Sequence, residues 1–204
     1  CLATHAVLQF RYGQSRRPMG FKRWGVFSHQ VTDRLHPLVN DVNTRFDVPH
    51  SRFNDISRAQ FEAAGLRVLA ASEEAGVHLA VSADGFRVVF FQGHPEYDTI
   101  SLLKEYKREV GRYAAGARPD YPPFPDHYFG VQARALMDEY RGRLLRALER
   151  GEPAPDFPEA LVAAQGGARD PGFRLEIEVE PGSPHLRDGE ELRLTFRATR
   201  EGYL

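Results

Sequence analysis

The chain has one cysteine, one tryptophan and two methionines in 204 residues. A lone cysteine cannot form an internal disulfide, and its scarcity fits a reducing compartment such as the cytoplasm. No apolar run approaches the roughly 18 residues that a membrane span needs, and no secretory signal is visible. Charge of one sign is also missing. The 27 Lys and Arg nearly cancel the 28 Asp and Glu, leaving a formal net charge of -1. That balance favours neither a nucleic-acid partner nor an anionic membrane. There is no initiator methionine. The chain begins at Cys1, so either processing exposes that cysteine or the sequence is a piece of a longer protein.

What is present is ordinary for a globular protein: 42% hydrophobic and 27% charged residues, enough to build a core. Leu2, Ala6, Val7, Leu8 and Phe10 predict a largely apolar, buried helix over residues 1–12, stopped by Gly13. A basic, turn-rich stretch covers 14–23, and a strand is expected from Trp24 to Val31. Residues 36–43 read as a loop. Thr44 to Val48 reads as a short extended piece ending at Pro49, and Arg58 to Ala64 as a helix stopped by Gly65. Strands are expected at 66–71, 77–82 and 86–92, the last two joined by a turn at Ala83-Asp84-Gly85. Leu102, Leu103, Tyr106, Val110 and Tyr113 mark an amphipathic helix over 99–115. Asp98 is its expected N-cap, and a second long helix covers 131–150. The mixture is α/β. Residues 151–171, with four prolines, read as a linker. In 172–204, Phe173, Leu175, Ile177 and Val179, then Leu192, Leu194 and Phe196, alternate with other residues as in a small β-hairpin tail.

Two segments carry chemistry. Cys1 opens the first helix, and the sequence Gly93-His94-Pro95-Glu96-Tyr97-Asp98 follows the most apolar strand. A thiol attacks as thiolate, and a helix N-terminus lowers its pKa. His94 stands at the C-terminal end of a strand, where open α/β sheets place their ligands. Glu96, two residues on, is within reach of the imidazole, as the acid of a catalytic triad is. A buried inert cysteine beside a Gly-His-Pro turn is the plain alternative. The eight histidines show no metal-ligand spacing.

Five ordered blocks narrow the choice: Cys1-Leu-Ala-Thr-His-Ala6, Lys22-Arg-Trp-Gly-Val-Phe-Ser-His29, Val48-Pro-His-Ser-Arg52, Ser72-Glu-Glu-Ala-Gly-Val77 and Gly93-His-Pro-Glu-Tyr-Asp98. Together they resemble the homoserine O-acyltransferase family of methionine biosynthesis. The resemblance covers about residues 1–150 and makes them a partial catalytic domain. It implies a class I glutamine amidotransferase-like, flavodoxin-like three-layer α/β sandwich, of which this is the C-terminal portion. It implies Cys1 as the acyl-carrying nucleophile, His94 as the general base and Glu96 as its acidic partner. Lys22, Ser51 and Arg108 fall on substrate-binding positions. His50 and Arg52 read as loop supports, and His5 and His29 as neighbours of the site. The implied partners are homoserine and an acyl-CoA co-substrate, succinyl-CoA by the wording around His94 and Arg108. No bound cofactor or metal is expected, and a homodimer is.

The resemblance changes after residue 120, where the family's tryptophan-containing C-terminal helix gives way to Gly166-Gly167 and the β-like tail. The family's first half, with its oxyanion donors, does not precede Cys1, so the isolated chain is expected to turn over poorly. Three other readings stay open at this point. One is a glutamine amidotransferase-like thiol hydrolase, and another is an N-terminal-nucleophile enzyme with Cys1 as its own base. The third is a non-catalytic remnant that binds a partner.

Overall fold

In a computed structural model, residues 1–40 and 42–165 are described in full, and beyond them only the backbone of 174–175 and 196–197. The chain is α/β. Helix α1 (Leu2–Tyr12) is followed by β1 (Arg17–Val31), a 3-10 turn (Pro37–Val39), β2 (Arg45–Asp55), α2 (Arg58–Ala63), β3 (Arg67–Ser72), β4 (Gly76–Val81) and β5 (Val89–Phe91). Then come α3 (Ser101–Ala114), α4 (Val131–Glu149), α5 (Glu159–Ala164) and the short strands β6 (Arg174–Leu175) and β7 (Phe196–Arg197). The first five strands form one sheet in the order β2-β1-β3-β4-β5, and β6 pairs with β7. Pairing is antiparallel between β1 and β3, β3 and β4, and β4 and β5. Two compact units result. One holds Cys1–Arg23 and Ser28–Glu96, and the other holds Trp24–Phe27 and Tyr97–Asp170.

The first unit carries the candidate chemistry. Alternation along β5 sends Phe90 to one face of the sheet and Val89 and Phe91 to the other. Phe90 meets Leu8 of α1 and Phe61 of α2, with Val68 and Ala80 beside them. Val89 and Phe91 pack with Leu38, Val39, Phe46, Val48, Leu69 and Leu79. Both faces are thus covered, and the strands read as apolar runs for that reason. Helix α2 starts with a capping box, in which Ser57 and Gln60 each satisfy the other's backbone N–H. Helix α1 ends at Gly13, whose φ of 65° is costly for any residue with a Cβ.

Several boundaries differ from the sequence expectation. Strand β1 begins at Arg17, inside the stretch expected to turn. Strand β2 runs through Pro49 to Asp55, which a sheet tolerates because β2 lies at its edge. Strand β5 is shorter than expected. Asp84 Oδ1 accepts from the N–H groups of Phe86 and Arg87, and Ser82 Oγ accepts from Val88 N–H, so residues 82–88 stay a loop. Helix α1 is half-buried: Leu8 is fully covered, but Leu2 and Phe10 are 66% and 91% exposed.

In the second unit, α3 and α4 bury Leu102, Leu103, Tyr106, Val110, Ala133, Met137, Tyr140 and Leu144 together with Trp24 and Val26. Trp24 O accepts from Asp126 N–H, and Asp126 O accepts from Val26 N–H. A Cβ on Gly25 would lie 2.2 Å from the Asp126 carbonyl oxygen, so only glycine permits this approach. The residue before α3 is Ile100, not Asp98. Asp98 instead accepts from Ile100 N–H and Ser101 Oγ in the turn leading in. Of the expected tail hairpin, Arg174–Leu175 pairs antiparallel with Phe196–Arg197, and the remainder lies outside the described residues.

Candidate active site

Cys1 occupies the N-cap position of α1, and its carbonyl accepts from His5 N–H in the first turn. The unsatisfied N–H groups of that turn favour negative charge at this position. His94 follows β5 after only Gln92 and Gly93. Gln92 N–H donates to His78 O and His94 N–H donates to Pro49 O, so the backbone on both sides of Gly93 is fixed. A Cβ at Gly93 would sit 2.5 Å from Val48 Cγ1, 2.7 Å from His78 Nδ1 and 3.0 Å from His50 Cε1. The backbone just before His94 therefore lies directly against these three side chains.

His94 Nδ1 and Glu96 Oε1 are 2.7 Å apart. A carboxylate only accepts, so Nδ1 carries the proton and Nε2 is the basic nitrogen. The His94 side chain is 14% exposed and that of Glu96 65%. Partial burial pushes the Glu96 carboxyl up. The His94 hydrogen bond, a backbone hydrogen bond and nearby positive charge outweigh it, and the net shift is downward.

Beneath the loop lies a set of buried imidazoles. His29, His50 and His78 are each 0% exposed. The His29 and His50 rings stack with centroids 5.0 Å apart, and their Nε2 atoms are 3.2 Å apart. His78 meets both edge-on. Burial, then neighbouring charge, holds His50 and His78 well below the ordinary histidine pKa, so both are neutral. Arg52 is 3% exposed. Its Nη2 donates to Asp55 Oδ1 at 2.7 Å and Ala75 O at 2.8 Å. Burial lowers its pKa to about 10 against the pull of Asp55, which leaves it charged. Among the described residues no group of three or more His, Cys, Asp and Glu can hold a metal ion.

The structure brings Cys1, His94 and Glu96 into one unit, together with Lys22 and Ser51. Lys22 is half-buried on β1, and Ser51 is half-buried within β2. Arg108 lies on α3 in the second unit, 66% exposed, with its Nε 3.9 Å from Glu109.

The homoserine O-succinyltransferase family model matches residues 1–144. The chain belongs to the homoserine O-succinyltransferase family. It is 73% identical over 164 residues to a homoserine O-succinyltransferase of Allochromatium vinosum, covering 80% of this chain and 46% of that protein. It is 64% identical to one of Nitrosococcus oceani, covering 79% and 45%. The chain spans about half the length of the curated relatives it matches. The family match continues past residue 120, where the resemblance was expected to change. A glutamine amidotransferase from Thermotoga maritima aligns at a TM-score of 0.41 and 15% identity, covering 59% of this chain and 48% of that one.

Two residues of this region escaped the sequence reading. Thr4 and Gln92 connect α1 to the stretch before His94. The available signal was a single amide, Gln92, closing an otherwise apolar strand.

Proposed function

We propose that the chain carries the thiol acyl-transfer site of a homoserine O-acyltransferase, with succinyl-CoA as donor. The observation that carries this reading is the 2.7 Å His94–Glu96 pair in one unit with Cys1 at the N-cap of α1. The names of the relatives supply the acceptor, homoserine, and the succinyl group.

In the first half-reaction the Cys1 thiolate attacks the thioester carbonyl of succinyl-CoA. The bond between the acyl carbon and the CoA sulfur breaks, and CoA leaves as a thiol with the proton that His94 Nε2 took from Cys1. In the second, the homoserine hydroxyl attacks the acyl-Cys1 carbonyl while His94 Nε2 takes its proton. The C–S bond breaks and the proton returns to the Cys1 sulfur. Glu96 holds the His94 ring in the required tautomer and stabilises the imidazolium that forms. Lys22 supplies a cation suited to a carboxylate, and Ser51 a hydroxyl for substrate choice. The product enters methionine biosynthesis in the cytoplasm, and the assembly is a homodimer.

The test is an acceptor-dependence assay. The full-length gene product, succinyl-CoA and homoserine are mixed and free CoA thiol is followed, with glutamine tested in parallel for ammonia. The expected result is about one equivalent of CoA released without homoserine, sustained release only once homoserine is present, and no ammonia. Ammonia from glutamine without CoA release overturns the reading in favour of a thiol hydrolase.

A further inference from the structure

The stretch that ends in the base is tied to the helix that begins with the nucleophile. Thr4 Oγ1 donates to Phe91 O at 2.7 Å. One residue along on each segment, His5 Nε2 and Gln92 Oε1 are 2.8 Å apart. Both side chains are covered: His5 is 3% exposed and Gln92 is 0% exposed. Gln92 also reaches β4 and the residue just past β2. Its Oε1 accepts from Ile56 N–H at 2.9 Å, and its Nε2 donates to Ile56 O at 3.3 Å and Val77 O at 3.0 Å.

These contacts fix more than position. Two carbonyl oxygens and one N–H surround the Gln92 amide, so its oxygen and nitrogen cannot exchange places without opposing like groups. The amide oxygen must therefore face His5. An amide oxygen only accepts, so His5 Nε2 must carry a hydrogen. Burial, the first cause, lowers the His5 pKa, and Arg52 lowers it further against the Gln92 bond. The ring is thus neutral, with Nδ1 as its unprotonated nitrogen.

We propose that Gln92, His5 and Thr4 are positioning residues for the reaction: they clamp the first turn of α1, which carries Cys1, to the residues immediately before His94, with His5 locked as the Nε2–H tautomer. This rests on the reading of Cys1 and His94 as nucleophile and base. Neither His5 nor Gln92 touches the reacting atoms. They act by holding two catalytic groups, from opposite ends of this unit's sequence, within the narrow tolerance that acyl transfer needs. The net worth of one such bond to stability is modest, so loosening the clamp affects reactivity more than folding.

The 204-residue chain offers a clean probe, because Cys1 is its only cysteine. Nitrogen-15 spectra of labelled histidine at pH 7 are expected to show His5 neutral with its proton on Nε2. A proton on Nδ1 overturns the proposal. Alkylation of Cys1 by iodoacetamide is then followed against pH. His5→Phe is expected to slow it about tenfold, whereas His5→Gln, which can still donate to the Gln92 oxygen, stays within roughly threefold of the parent. Equal rates for His5→Phe and the parent overturn the clamp. If His5→Phe does not fold, Thr4→Val takes its place, with slowing expected and an unchanged rate overturning the clamp. His94→Ala separates the two claims. If it leaves alkylation unchanged, the pairing of Cys1 with His94 itself falls. If it slows alkylation while the clamp variants do not, only the clamp falls.

Discussion

Glu96 accepts a 2.7 Å hydrogen bond from Nδ1 of His94, two residues before it in the chain. So short a separation makes the pair nearly independent of distant packing, while Pro95 between them limits the backbone's freedom. The bond leaves Nε2 as the basic nitrogen. Glu96→Gln keeps an acceptor for Nδ1 but loses the charge that stabilises imidazolium. Acylation of Cys1 should fall about tenfold in Glu96→Gln and roughly a hundredfold in Glu96→Ala, as removal of orientation and charge together predicts. Single-turnover kinetics with succinyl-CoA measures both.

Gly93 is tested through space rather than charge. A methyl at this position would overlap Val48, His78 and His50 at 2.5, 2.7 and 3.0 Å. All three are buried, so relief must come from displacing the loop. Gly93→Ala should cost about 1–3 kcal/mol of stability. It should also lower the acylation rate by more than its stability loss explains, because His94 moves with the loop. Denaturant unfolding and acylation rates, measured on one preparation, separate the two effects.

The buried imidazoles predict an acid limit. His50 faces Arg52, His29, His78 and His94, and His78 faces His29 and His94. Both are lowered well below the ordinary value of 6.5. The unfolded chain therefore binds protons that the folded chain refuses. Their contribution to stability is fully present above about pH 6.5 and is lost as pH falls toward the folded-state values. Each such proton corresponds to about 1.4 kcal/mol per pH unit. The urea midpoint should drop between pH 7 and pH 5, and His78→Gln should flatten that drop. A midpoint independent of pH over this range contradicts the neutral cluster.

Much of this site is legible in sequence because its determinants are local. Gly13 stops α1 where expected, Cys1 caps the other end, and His94 and Glu96 find each other across one residue. What was not legible depends on distant partners. Pro49 looked like the end of an extended piece, but an edge position lets β2 pass through it, and its carbonyl then anchors His94. The apolar pattern of α1 gave no way to tell that Leu8 would be covered and Phe10 exposed. Gln92 gained meaning only when His5, Ile56 and Val77 converged on it from remote positions in the chain. The buried charge of Arg52 is of the same kind, since Asp55 is nearby in sequence but Ala75 O is not.

The most direct test of the account is intact-protein mass spectrometry of the full-length gene product after brief exposure to succinyl-CoA. The expected result is a mass gain of one succinyl group, absent in Cys1→Ser and discharged when homoserine is added. No adduct, or an adduct that persists in Cys1→Ser, contradicts the assignment of Cys1 as the acyl carrier.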